Sequence, residues 1–286
     1  MRKSKENNKG RRKRWLAVLC AALLFILAAF GMLQLGCLYT DKTWSHWQPN
    51  YPQEEIGVLI EKQVLSEEEY AVLYRQTGLT KSAIDDMRTS EEGRAQILKI
   101  QQAFFAKYPI KNKLFTLFTY MDEIEGNVPL CFLKDGDIIV SATTRVSWWR
   151  YGHAAIVVDG PSGIIAEAIS PGTKSKISGA DTFSNLANFL ILRPKAEESL
   201  KEQIADYVVS EMIDVPYRLT TGIFTKKYQE KLHTSQCAHF VWYAYKKFGI
   251  DLDSTGGRVV KPQDMALSDL VEVVQVYGFD LEKLWG

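Results

Sequence analysis

Polar and apolar positions fall into three textures along this chain. From Trp15 to Tyr39 the sequence reads WLAVLCAALLFILAAFGMLQLGCLY, with Gln34 its only strongly polar side chain. At about 1.5 Å per helical residue, roughly 20 such residues cross a hydrocarbon core of about 30 Å, so 15–39 is expected to span a membrane as one helix. A cleaved signal peptide is the competing reading. Its apolar stretch is about 7–15 residues long and ends at a small-residue site, whereas this run is longer and lacks a clear Ala-x-Ala. Leu35, Gly36 and Cys37 also resemble the end of a lipobox, with Gln34 where an aliphatic residue belongs. A lipid on Cys37 is therefore a further option.

The second texture is helical. Residues 40–60 carry two Pro and two Trp without clear periodicity and read as a stem. Ser66 and Glu69 form a capping-box pattern ahead of Tyr70, Leu73 and Tyr74, and Gly78 stops that helix. A short helix follows, with Thr80 or Ser82 as cap and Ile84 and Met87 inward. A third pattern, Ile97, Ile100 and Phe104, ends before Pro109. Residues 61–130 are thus expected to form a helical layer packed on a larger domain.

From Cys131 the period changes. Residues 137–141, 154–158, 164–168, 189–192 and 271–276 are short apolar runs bounded by Gly, Pro, Asp or Ser, and read as strands. Residues 159–163 (DGPSG) make a tight hairpin connection between two of them. Helices are expected over 197–213 and 236–248, the latter stopped by Gly249. Strands joined by hairpins and followed by helices imply an α+β domain with an antiparallel sheet over 131–286.

Charge adds topology. Residues 1–14 hold eight of the 35 Lys and Arg and one of the 34 Asp and Glu. Basic residues ahead of the span put a cytoplasmic tail at 1–14 and the remainder of the chain outside the cytoplasm. From Trp15 onward 27 basic residues face 33 acidic ones, which argues against nucleic acid as a partner. Four cysteines exclude a disulfide-stapled scaffold. No P-loop, dinucleotide fingerprint or HExxH occurs, so no cofactor is implied.

The candidate chemistry centres on Cys237. Thr234 and Ser235 are cap residues, which places Cys237 in the first turn of a helix, where the dipole and free N–H groups favour a thiolate. The alternative is a small buried hydrophobe on one helical face with Phe240, Ala244 and Phe248. Cys20 and Cys37 lie in the span, and Cys131 is left as a disulfide partner or a separate thiol. Of the four histidines, His46 is in the stem, His233 precedes the cap, and His239 sits two residues along the Cys237 helix and points elsewhere. His153 opens an apolar strand after a glycine. If Val158 and Ile164 flank the hairpin turn, Ala155 faces Glu167, and His153 and Glu167 become diagonal neighbours on one sheet face. A Glu in an apolar strand is costly to bury without a partner, and an imidazole is a suitable one. Cys237, His153 and Glu167 then form an activated-thiol triad: nucleophile, base and orienting carboxylate. A metal site at His233, Cys237 and His239 matches no zinc spacing.

These residues resemble a known family. Gly152–Val158 (GHAAIVV), Ile165–Ala168 (IAEA), Pro216 with Tyr217, and Gln236–Tyr245 (QCAHFVWYAY) look like the blocks of NlpC-type papain-like cysteine peptidases. They stand in swapped order, which resembles the circularly permuted YiiX/YaeF-like amidases and, more distantly, lecithin–retinol acyltransferase. Asp135–Ile139 (DGDII) and Lys261–Asp264 (KPQD) fit the same branch, and the resemblance spans about 131–276. It implies a permuted papain-like fold and a thioester mechanism through Cys237, His153 and Glu167, with Tyr217 lining the substrate cleft. The family usually reads Asp-Cys-Ser-Gly at the nucleophile, whereas this chain has Gln236, Cys237, Ala238 and His239. Trp148 and Trp149, just before the His block, either line an apolar groove or pack. The expected activity is a membrane-anchored, extracytoplasmic cysteine hydrolase of the amidase/peptidase type acting on cell-wall peptide amides. Alternatives are an acyl-lipid or acyl-amide hydrolase or acyltransferase, or a silent ligand-binding module.

Overall fold

The computed structural model describes residues 2–43, 46–111, 113, 118–146 and 149–285, with only the backbone described for 2–10 and 37–43. The first helix, α1 (Arg2–Thr43), contains a stretch, Arg11–Gly36, that is long and apolar enough to cross a membrane and is not buried within the described structure. A signal sequence meets the same criterion. The stem after it, where described, lies on the body: the Trp47 amide donates to Gly278, and Trp47 and Tyr51 place their rings 5.9 Å from Phe104 and Phe105. A single turn, α2 (Gly57–Ile60), follows.

The helical layer forms as its sequence dictates. In α3 (Glu67–Thr77), the Ser66 hydroxyl accepts from the Glu69 amide and the Glu69 carboxylate accepts from the Ser66 amide, closing the capping box. Gly78 ends it in the left-handed region with its N–H on the Tyr74 carbonyl. Two more helices complete the layer, α4 (Lys81–Arg88) and α5 (Glu91–Phe105), the latter capped by Ser90. Between this layer and the main sheet run short strands that the apolar pattern did not disclose: β1 (Ile110–Lys111), β2 (Tyr120–Met121) and β3 (Glu123–Ile124).

The main sheet is built from β4 (Ile138–Ser141), β7 (His153–Asp159), β8 (Ile164–Glu167), β9 (Lys176–Gly179), β10 (Phe189–Pro194) and β11 (Val271–Tyr277). Its order is β11-β10-β4-β7-β8-β9, antiparallel throughout. A smaller sheet joins β2 to β5 (Thr144–Val146) and β6 (Trp149–Arg150), inserted between β4 and β7. Its Arg145 is fully buried and ion-paired to Asp122, which also holds Arg150 at 2.6 Å.

Alternation along the strands gives the main sheet two apolar faces. Ile138, Val140, Ala154, Ile156, Leu190 and Leu192 point to one side, where α7 (Glu198–Glu211) and α8 (Cys237–Lys247) pack, with α9 (Pro262–Ala266) at the edge. Ile139, Ala155, Val157, Ile165 and Ile191 point to the other, against α3–α5 and the short α6 (Asp181–Ser184). The helical layer is therefore one wall of the core rather than an appendage. Cys131 belongs to that second core, Cys237 begins α8 on the opposite side, and both are free thiols.

The hairpin register follows the expected pairing, with Ala155 opposite Glu167 and Ile156 opposite Ala166. The turn differs from expectation: Asp159 pairs with Ile164, and Val158 bulges out of the ladder. The bulge lies beyond the pairs that matter, so His153 and Glu167 stay on one face.

Candidate active site

Three elements converge where β7 begins. Gly152 lies immediately before it at φ +74°, and a Cβ there would come within 2.6 Å of the Ser141 carbonyl. Only glycine fits that approach, and the turn delivers His153 into the strand at the site. His153 is 1% exposed, with Nε2 2.7 Å from Glu167 Oε2. The Ser178 hydroxyl on β9 donates to the other carboxylate oxygen, and the Phe183 ring stacks on the imidazole at 5.5 Å and 13°. Carboxylate and ring are thus each held from two sides.

Cys237, also 1% exposed, is the first residue of α8. The cap is neither Thr234 nor Ser235 but Gln236, whose Oε1 accepts from the Ala238 amide at 2.9 Å and lies 3.4 Å from Sγ. The Ser235 hydroxyl is engaged by His239 Nδ1 instead. Gln236 Nε2 donates to Val260 and ties the cap to the loop before α9. The thiol lies 3.9 Å from the Gly152 carbonyl, which brings the start of α8 against the residue that precedes His153.

Electrostatics join the three groups. Burial opposes a charge on His153, yet Cys237 and Glu167 together outweigh it and lift the histidine pKa to about 9. Nδ1 makes no hydrogen bond of good geometry and is shielded from solvent, while Nε2 is engaged by Glu167. Burial also works against the Glu167 carboxylate, but its bonds to His153 and Ser178 hold its pKa below the usual value.

Two tyrosines surround the thiol. Backbone bonds from Arg218 to Ser235 and from Ser235 to Pro216 zip the segment carrying Tyr217 alongside the approach to Cys237. Burial, then proximity to Cys237 and Tyr151, pushes the Tyr217 phenol well above its ordinary pKa, and its hydroxyl has no hydrogen-bond partner among the described residues. Tyr151 bonds Thr119 at 3.0 Å, and burial together with the nearby Cys237 takes its pKa to about 12.

A cleft of about 400 Å³ is bounded by Gly152 and Gln236, the chain neighbours of His153 and Cys237, and by Tyr151. Trp149, half exposed, lines it with Leu219, Ile223, Val260, Pro262 and Trp285. Trp148 lies outside the described residues. Arg150 and Lys261 are the charged side chains on its wall. On the far side, His153 and Glu167 border a second hollow of about 310 Å³ with Lys176 and Phe183.

The structure thus places Cys237, His153, Glu167 and Tyr217 together, with Trp149 on the cleft wall. Tyr151, Ser178 and Phe183 carry no signal of their own in the sequence, and Gln236 is legible there only as a departure from the family's Asp-Cys-Ser-Gly. Alternation would have found Ser178, since β9 pairs with β8 so that Lys176 faces Glu167. Its KISG sequence is too polar to announce a strand. His239 is equally buried but bonds only Ser235 and the Lys227 carbonyl, His233 is exposed, and His46 packs on Tyr277. Among the described residues, no group of three or more His, Cys, Asp and Glu is gathered as a metal site requires.

In class, this is an α+β protein with a buried Cys–His–Glu cluster beside an apolar cleft. No family model matches the chain, and no curated protein matches it. Among solved structures it is similar to the crystal structure of metalloprotein yiiX from Escherichia coli O157:H7 (DUF1105), at 13% identity and a TM-score of 0.39. That alignment covers 51% of this chain and 98% of that one.

Proposed function

We propose that the protein is a cysteine hydrolase with a permuted papain-like catalytic domain, cleaving an acyl bond through a thioester. The observation that carries this reading is the His153 ring. Glu167 occupies one nitrogen, the other is buried with no hydrogen-bond partner of good geometry among the described residues, and the pKa of about 9 favours the imidazolium that a thiolate needs as its partner.

In the proposed sequence His153 takes the Cys237 proton, and the thiolate attacks the carbonyl carbon. An S–C bond forms, the bond to nitrogen or oxygen breaks, and the His153 proton passes to the leaving group. Water, deprotonated by His153, then hydrolyses the thioester. The Cys237 amide, at the first position of α8 where helix N–H groups lack intrahelical acceptors, is the donor for the oxyanion. Glu167 orients the ring, with Ser178 and Phe183 as positioning residues.

The substrate classes left open by the sequence do not suit this cleft equally. Cell-wall peptides carry carboxylates and amines along their length; Arg150 and Lys261 suit a carboxylate, but among the described residues no carboxylate lines the wall to bind an amine. Trp149, Leu219, Val260, Pro262 and Trp285 suit an apolar acyl group, so acyl-amide or acyl-lipid cleavage is the preferred reading and cell-wall amide cleavage the second. In either case residues 15–39 anchor the enzyme with the catalytic domain outside the cytoplasm.

The test is product release from acylated lipids and acyl amides against release from purified peptidoglycan. Products from peptidoglycan alone would reverse the preference. If Cys237→Ala left both activities and any phenotype unchanged, the ligand-binding alternative would replace the enzymatic one.

A further inference from the structure

The folded body is acidic, with 33 Asp and Glu against 27 Lys and Arg from Trp15 onward. The loop over 216–234 runs against this, with Arg218, Lys226, Lys227 and Lys231 facing only Glu230. Arg218, Lys226, Lys231 and His233 are exposed around one open recess. Beside these cations the loop projects apolar side chains into solvent: Phe224 is 82% exposed, and Ile223 and Tyr228 about half exposed. Exposed apolar side chains scattered singly are ordinary, but three on one loop among cations are not a scattering.

The projection is held in place. Amides of Ile223 and Phe224 both donate to the Thr220 carbonyl, forming a tight turn. Gly222, at φ +89°, presses that turn so closely on Arg258 that a Cβ would meet its carbonyl at 1.9 Å. Lys227 is not free to face solvent, being paired with Asp253, and its carbonyl is gripped by His239 on α8. The remaining cations and the apolar tip are therefore presented outward on a braced frame.

We propose that the 218–234 loop docks on an anionic phospholipid bilayer. Phe224 enters the acyl boundary, and Arg218, Lys226 and Lys231 contact headgroup phosphates. Lipid is the occupant favoured over a protein because the cations complement an anionic surface and the chain carries a helix apolar enough to hold it at a bilayer. Leu219 and Ile223, on the same loop, line the apolar cleft, so docking brings the bilayer to its mouth. The proposal stands without the catalytic reading, because its test measures no turnover.

The experiment is amide hydrogen exchange on the full chain in nanodiscs of phosphatidylcholine alone or mixed with phosphatidylglycerol. The anionic bilayer is expected to slow exchange across 218–230 several-fold. Because each Lys at an anionic surface strengthens binding about five-fold, Lys226→Glu with Lys231→Glu is expected to abolish the slowing. Phe224→Asp is expected to abolish it as well, and high salt to weaken it. Unchanged exchange over α8 in each variant establishes that the fold is intact. Equal exchange in the two bilayers, or protection that survives the charge reversal with α8 intact, would overturn the proposal.

Discussion

His153 and His239 are each 1% exposed, yet their pKa values are shifted in opposite directions. Burial pushes the His239 pKa down to about 4, because its partners, a serine hydroxyl and the Lys227 carbonyl, offer no negative charge and the Lys227 cation lies nearby. His153 meets the same burial but sits between a carboxylate and a thiol, and its pKa rises to about 9. The contrast teaches that desolvation alone makes a neutral, structural histidine. A second buried ionisable group is what converts it into a group that can hold and deliver a proton. His239 fastens the loop after Tyr217 to α8, whereas His153 is the proton carrier of the proposed reading.

Several changes break or sharpen that contrast. Cys237→Ala removes the proposed nucleophile and is expected to lower turnover about 10⁴-fold or more with the fold retained, checked by steady-state rates and thermal melting. Glu167→Gln keeps the shape of the carboxylate but not its charge. It is expected to lower kcat roughly 10²–10³-fold and to bring the His153 pKa down toward that of His239.

The two histidines also predict the limbs of a stability–pH curve. A folded pKa of about 9 against 6.5 unfolded means that His153 contributes stability fully below pH 6.5, lost as pH rises through about 9. A folded pKa of about 4 means that the stability held with His239 neutral is present above 6.5 and declines as pH falls toward 4. Denaturant unfolding across pH should show both limbs. His153→Ala should flatten the alkaline one, and His239→Ala the acidic one.

His239→Ala leaves the Ser235 hydroxyl and the Lys227 carbonyl without their partner, costing about 1–3 kcal/mol by chemical denaturation, while the His153 titration stays in place. Ser178→Ala is the mildest change. Freeing one Glu167 oxygen is expected to reduce kcat a few-fold and to move the pH profile with it, a shift that a purely structural serine would not produce.

Legibility in the sequence followed the length and apolarity of each element. The five apolar strands, the register of Ala155 on Glu167, the capped α3 and the start of α8 at Cys237 were all readable, because period and turn residues agreed. β5 and β6 were not, since Arg145 in that sheet is buried by a distant Asp122 that no local pattern reveals. Residue preference points to Thr234 and Ser235 as the cap residues before Cys237. In the structure Ser235 is drawn away by His239, and the longer Gln236 side chain reaches the Ala238 amide. Within the site, the residues carrying chemical groups were readable and those that position them were not. Ser178 and Phe183 reach His153 and Glu167 only through an edge strand and a short turn whose sequences carry little pattern.

The most direct measurement is an NMR titration of the four histidine rings in the full chain, assigned through His153→Ala and His239→Ala. The account predicts that His153 titrates near 9 and His239 near 4, and that Glu167→Gln moves only the first. A His153 ring that loses its proton at or below 6.5, or that ignores the loss of Glu167, would contradict the assembled triad.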